Sequence, residues 1–478
     1  MDSQSFYRCL FWGAATLYVS AEVYYFILTI LKSDWSKRDG YFGRFVSVVR
    51  DFRAGKYYKP WTTNKPILIT PSKENMRELS EAVVLSQRAV YADMFGFKHT
   101  MNNLDHHDHK VARTRLYGRL LQVNGPGNLT GLYPYLQRRV EDTLDGLLKA
   151  QGGAKGAVSI QVTQLTKVLA SRLMGVVFFG QKLASDPEFA DALLRYSQDM
   201  VSCMAAFQVT PGFLSPLVHS IITRRGRAMH LIQNRLMDIM GPDRQDWDEL
   251  ENLKQYTIAH NMAELTESTH DYWTPEVLSQ SLLGIWFAAS HQPWMTTCFV
   301  LLELCARPEW QLLLREEIGE EKLDYERLEK LPLLDSFIKE TVRLNPLDTM
   351  AIRRKALQDY TFSTGSPFVP SGSTVCVSSY DILHDENTYD SPNEFNGGRF
   401  VNKSKFSEVS EHFPIWGYGS LACPGRFHAS LVMKLIISHL VANYDLSFED
   451  STARRSWSWE TFRMPSNSLR IMLKRRSV

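Results

Sequence analysis

The sequence predicts a mainly α protein with a smaller β part, set behind one membrane-spanning helix. Three observations carry this. Residues 10–31 form an apolar run long enough to cross a bilayer. Residues 130–275 read largely as helix, and helical periodicity continues through 275–306, 308–318 and 331–344. Strand-like patterns are few: a short run at 65–70, a stretch after Pro346 that holds Arg353, and the alternation of residues 441–478.

Bulk composition narrows the function classes. The chain has 478 residues and is 44% hydrophobic, enough for a large core. Its 54 basic and 52 acidic residues leave a net charge of +2, so no nucleic-acid partner is implied. Six cysteines stand without paired spacing, which suggests neither a disulfide framework nor a zinc site and fits a reducing compartment.

The run at 10–31 carries one charge, Glu22. A carboxylate near mid-span costs about 2–3 kcal/mol on insertion scales, which the surrounding Leu, Ile, Phe and Val offset. Lys32, Lys37 and Arg38 follow the run and only Arg8 precedes it, so the positive-inside rule places the bulk of the chain in the cytosol. The rival reading is a cleaved signal peptide with Val19-Ser20-Ala21 at the cleavage site, against which the apolar run continues to Leu31. With an anchor, the glycosylation sequons at Asn128 and Asn402 go unused.

Lys65 to Thr70 reads as a short strand closed by Pro71, and Glu74 to Leu85 as a helix. Residues 104–121 hold His106, His107, Asp108 and His109, which invite a metal reading. Only Asp105 and His109 share a helical face, so a solvated polar helix is the plainer account. Helical residues 130–275 are interrupted at Gly152-Gly153, Pro211-Gly212, Pro216 and Gly241-Pro242, and 205–218 is apolar and proline-broken.

Pro275 opens a helix that is apolar all round from Leu282 to Ala289, hence buried. It then meets His291, Gln292 and Pro293. Proline removes a helical N–H and leaves the carbonyl near Ala289 free, which bends a helix. Glu340 and Arg343 form an i, i+3 pair on an amphipathic helix, a common motif by itself.

The most informative stretch is Phe413 to Ala429, centred on Cys423. Gly417, Gly419 and Gly425 let the backbone take φ > 0 and lie flat against a ligand. Pro424 suits the first position of a helix, which Phe427, Leu431, Val432, Leu435, Ile436 and Leu440 continue at buried helical spacing. Free N–H groups at a helix start favour a thiolate. The alternative is a structural cysteine beside a glycine turn.

This run resembles the haem loop of cytochrome P450 enzymes, aromatic-G-x-G-x-[R/H]-x-C-x-G, filled by Trp416, Gly417, Gly419, Cys423 and Gly425. Trp416 stands where Phe is usual, and Leu421 where Arg or His usually reaches a haem propionate. Two further motifs follow in the expected order. Glu340-x-x-Arg343 is followed 56 residues later by Arg399, within PNEFNGGRF. The run Ala288-Ala289-Ser290-His291-Gln292 aligns with [A/G]-G-x-[D/E]-T, with His291 and Gln292 replacing the acid and alcohol that relay protons.

The resemblance implies one large catalytic domain at 33–478 behind an anchor at 1–32, although the usual proline-rich hinge is not evident. It implies haem b with Cys423 as axial ligand to the iron, and Gly417, Gly419 and Gly425 in the platform. His109 and Arg113 match the spacing of propionate ligands. Arg353 stands where another is often found, with Arg354 an equal candidate. Glu340, Arg343 and Arg399 are expected to form a buried structural network. Residues 345–350 and Phe462 are expected at the substrate cavity, and 205–218 at its roof against the membrane. The implied reaction is oxygen activation with electrons from NADPH-cytochrome P450 reductase, docking near Arg426 on the face behind the cysteine. One oxygen atom then enters an apolar small molecule. The expected location is the endoplasmic reticulum membrane, single-pass, facing the cytosol. The ACPGRF loop and RLNP run look similar to fungal members that decorate secondary metabolites such as terpenoids. Catalytic roles for His291 and Gln292 are expected. Their departure also motivates an alternative, a haem-thiolate isomerase or dehydratase needing no reductase. A non-catalytic haem-binding sensor is the third reading.

Overall fold

The computed structural model describes residues 66–101, 126–150, 157–210, 212–240, 257–266, 274–419 and 422–476. The run at 10–31, His109, Arg113 and Leu421 lie outside them.

Helices dominate. The centre of the molecule is the helix Pro275–Ala306, started by Pro275 and capped by Thr274, whose hydroxyl accepts from the Val277 N–H. It stays helical through Pro293, so the expected bend is a lost hydrogen bond rather than a break. The helices Val162–Ser185, Pro187–Val209, Arg227–Met240, Pro332–Leu344 and Arg426–Asn443 pack around it. Their apolar faces join one large core that includes Leu169, Trp286, Val300, Phe337 and Leu435. Among the described residues, Val162–Ser185 is long and apolar enough to span a membrane. It is mostly buried within the protein, which is what a helix apolar on all sides requires.

The β part is small and peripheral. Four strands lie in the order Ile67–Leu68, Thr374–Ser378, Met350–Ala356, Leu85–Ser86, the first pair parallel and the others antiparallel. They cover a second, smaller core around Met76, Leu79 and Val375. Ser456–Trp459 and Phe462–Pro465 make a hairpin. Three strands, Ala157–Gln161, Arg470–Arg475 and Tyr444–Phe448, form another antiparallel sheet.

The structure differs from expectation in three places. Ala157–Gln161 is a strand inside the stretch read as helical, because its partner comes from the far end of the chain, with Ile160 opposite Ile471. The helix expected over 74–85 ends at Glu81, and Leu85–Ser86 joins the sheet. The proline-broken stretch at 205–218 remains helical to Val209, then turns into the short helix Ser215–Ile222. Around that turn Phe213, Leu217 and Ile221 are 71%, 59% and 63% exposed, at i, i+4, i+8 spacing along one side.

Candidate active site

Cys423 sits in a loop that the sequence folds tightly. Gly417 and Gly419 take φ of 78° and 62°, backbone that favours glycine. The Cys423 N–H donates to the Trp416 carbonyl at 2.6 Å, closing the loop on itself. Trp416 is buried, and its indole N–H donates to the Phe406 carbonyl at 2.6 Å, a partner that phenylalanine at this position would not need. Gly425 departs from expectation. Its φ is −85°, and it serves as the cap of the helix Arg426–Asn443. Pro424 therefore precedes the cap instead of opening the helix.

The sulfur still meets the helix start. The N–H groups of Gly425 and Arg426 approach it, and the Arg426 charge lies close. These lower the Cys423 pKa, but burial outweighs them and the thiol is pushed up. Ease of ionisation is therefore not built into the loop alone; deprotonation calls for a metal ion's charge at the sulfur. Among the described cysteines, Cys203, Cys298, Cys305 and Cys376 are buried, whereas Cys423 is half-accessible. Arg426 turns inward, donating to the Cys423 carbonyl at 2.9 Å and covering the Phe427 ring at 4.3 Å.

The central helix packs against the helix that follows Cys423. One stripe of it is accessible: Ile285 and Ala289 are half-buried, Ala288 and Gln292 exposed. These positions share a face at i, i+3, i+4 and i+7. His291 lies about 100° around the helix from Gln292. Its ring stacks on Phe287 at 5.4 Å, and its Nδ1 accepts from the Trp294 indole N–H at 3.2 Å. Burial first, and the Lys167 charge second, lower its pKa to about 3. His291 is thus held towards its neutral form, with Nδ1 occupied as the acceptor of the Trp294 N–H. Only Gln292 of the pair stands on the stripe with Ala288 and Ala289.

Arg353 and Arg354 separate just as clearly. Arg353 makes a two-pronged pair with Asp348 at 2.9 and 2.8 Å and donates to the Thr461 hydroxyl at 2.6 Å. It is committed to the protein, tying residues 345–350 to the hairpin, where the Thr349 N–H also donates to the Thr461 carbonyl at 2.8 Å. Arg354 is 2% exposed, its Nε has no partner, and Nη1 reaches only the neighbouring Arg353 carbonyl at 2.9 Å. Burial lowers its pKa to about 10. The aspartate five residues before Arg353 was the available signal that this arginine is already paired.

Glu340, Arg343 and Arg399 come together in the interior. Arg343 pairs with Glu340 at 2.7 and 2.9 Å, and Arg399 Nε reaches both carboxylate oxygens at 3.1 and 3.0 Å. Arg343 also donates to the carbonyls of Leu383 and Pro392, both at 2.7 Å. Arg399 donates to the Asp390 carbonyl at 2.6 Å. Glu340 accepts the Asn396 N–H at 2.9 Å.

These features fit a thiolate-bound haem. The sulfur of a half-buried cysteine faces two amides, a glycine turn precedes it, a small-residue stripe is left uncovered, and among the described residues a buried guanidinium lacks a carboxylate.

The chain is similar to known proteins over most of its length. The family model described as Cytochrome P450 matches residues 45–473. Cytochrome P450 monooxygenase 151 of Postia placenta is 28% identical over 73% of this chain and 73% of that protein. Cytochrome P450 monooxygenase janP of Penicillium janthinellum is 27% identical over 81% of this chain and 76% of its own length. For three other Penicillium relatives, the aligned stretch spans 58–66% of their length. The fold matches a retinoic acid bound cyanobacterial CYP120A1 with a TM-score of 0.64 at 19% identity, covering 85% of this chain and 88% of that one.

Proposed function

The chain belongs to the cytochrome P450 family of haem b-binding oxidoreductases, and from that premise we propose that it is a membrane-anchored monooxygenase hydroxylating an apolar small molecule. The observation that supports this best is the Cys423 sulfur, met by two helix-start amides in the loop that opens the helix Arg426–Asn443, which itself packs on the helix carrying the Ala288–Ala289–Gln292 stripe. Bound there, haem supplies the activation and reduction of O2.

The residues divide the remaining work. Cys423 offers the thiolate, and the N–H groups of Gly425 and Arg426 hold its charge. Gly417 and Gly419 let the loop lie flat. Arg354, with Nε free, offers a charge-assisted bond to a carboxylate of the cofactor, a role in which His109 and Arg113 join it. Ala288 and Ala289 leave room for substrate, and the Gln292 amide holds a water or proton-bearing group at the stripe. The Glu340–Arg343–Arg399 network fixes the chain beneath the cysteine loop. Residues 1–32 anchor a single-pass protein in the endoplasmic reticulum membrane, and the exposed Phe213, Leu217 and Ile221 rest on its surface. Electrons come from NADPH-cytochrome P450 reductase. The substrate is a terpenoid or related polycyclic intermediate of fungal secondary metabolism.

The test is the carbon monoxide difference spectrum of the reduced protein. We expect the red-shifted Soret band of a thiolate-ligated carbonyl, lost in Cys423→Ala. A band typical of histidine ligation would return Cys423 to a structural role. Turnover that proceeds without NADPH and reductase would favour the isomerase reading instead.

A further inference from the structure

A cavity of about 240 Å³ lies on the side of the central helix that carries Ser290, His291 and Trp294. Ala288, Ala289 and Gln292 do not line it; they lie on the other side, on the stripe assigned to the reaction. Its far walls come from the helices Val162–Ser185 and Pro187–Val209 and from the hairpin 456–465, so Phe462, expected at the substrate cavity, lines this one.

Its chemistry is one-sided. Lys167 is the cation among the residues that line it, and no Asp or Glu lines it. Among the described residues Lys167 makes no ion pair; its ammonium lies 4.6 Å over the Trp294 ring. Burial lowers its pKa, as expected of an ammonium without a counter-charge. The indole N–H of Trp459 is buried and lacks a partner among the described residues. An indole nitrogen can only donate, so it asks for an acceptor. His291 is neutral there and adds no competing charge. The indoles of Trp294, Trp457 and Trp459 supply broad apolar walls.

We propose that this cavity, across the central helix from the Ala288–Ala289–Gln292 stripe, is a second ligand site and that it binds a small aromatic or polycyclic carboxylate. The carboxylate pairs with Lys167 and accepts the Trp459 N–H, while the ring system lies among the indoles. Binding offsets two desolvation penalties at once: that of an uncompensated ammonium and that of an orphaned donor. The site stands independently of the monooxygenase reading.

The experiment uses the haem-loaded full chain, with 1-naphthoate as probe and uncharged 1-naphthamide as control, both titrated by calorimetry. We expect 1-naphthoate to bind without moving the Soret band. Lys167→Met should weaken it roughly tenfold or more, leaving 1-naphthamide unaffected. Trp459→Phe, which removes one N–H and keeps the aromatic wall, should weaken it roughly threefold and stands in if Lys167→Met does not fold. No binding at millimolar probe, or equal affinity in wild type and both variants, overturns the proposal. So does a probe-induced Soret shift that imidazole competes away, since that places the probe at the haem.

Discussion

Around Glu340 every buried charge meets a partner, whereas elsewhere several buried polar groups meet none among the described residues. Glu340 and Arg343 are fully buried, and between them, Arg399 and the backbone of residues 383–396 the donors and acceptors are matched. Arg354 Nε, Trp459 Nε1 and both ring nitrogens of His428 are equally buried and have no partner. The first arrangement is a finished structural joint. The second is what a protein looks like where a bound group supplies the missing partners, because orphaned buried polar atoms are otherwise destabilising. Satisfaction of hydrogen bonds, rather than burial or charge, distinguishes scaffold from site here.

Breaking the finished joint should have the largest effect. Glu340→Ala leaves two buried guanidinium groups uncompensated and is expected to cost about 3–5 kcal/mol, enough to abolish the yield of folded, haem-loaded protein. A thermal midpoint within a few degrees of wild type would remove the distinction drawn above. The adjacent arginines sharpen it. Arg353→Met forfeits the Asp348 and Thr461 bonds and should lower stability by about 2 kcal/mol in urea unfolding. Arg354→Met removes a cation with no ion pair among the described residues and a bond only to the neighbouring Arg353 carbonyl, so stability should change little while haem dissociates faster into apomyoglobin. If the two variants behave alike, the assignment of Arg354 to the cofactor fails.

The smallest effect is a pH dependence. Burial lowers the His428 pKa from 6.5 to about 4. The unfolded chain then takes up a proton below pH 6.5 that the folded chain refuses until about pH 4. Stability is therefore complete above 6.5 and falls as pH drops through this window, by about 2 kcal/mol at pH 5. His291, lowered to about 3, adds to the same acid limb. His428→Leu should flatten part of that limb while leaving stability at pH 7.5 little changed, measured as midpoint against pH. An unchanged acid limb would mean that His428 is solvated or paired.

Much of this site is legible in the chain. Cys423, its glycines, the Glu340-x-x-Arg343 pair and Arg399 follow from motifs in which residue order alone carries the chemistry. The start of the central helix at Pro275 is legible too, since capping is local. Three features are not. His291 and Gln292 look like one functional pair, yet adjacent residues on a helix point about 100° apart, and here His291 lines the cavity of about 240 Å³ while Gln292 stands on the exposed stripe. Arg353 and Arg354 look equivalent, yet strand neighbours face opposite sides and one meets Asp348. The strand Ala157–Gln161 looks helical until Arg470–Arg475 arrives to pair with it.

What the sequence determined by itself is therefore everything local: composition, helix starts, the cysteine loop and the ligand chemistry it implies. Tertiary structure alone decided which polar groups are already spent. Lys167, Trp294 and Trp459 lie far apart along the chain and become a cavity only when three helices and a hairpin close around it. Whether a buried group has a partner depends on contacts between residues distant in sequence, and no local pattern encodes those.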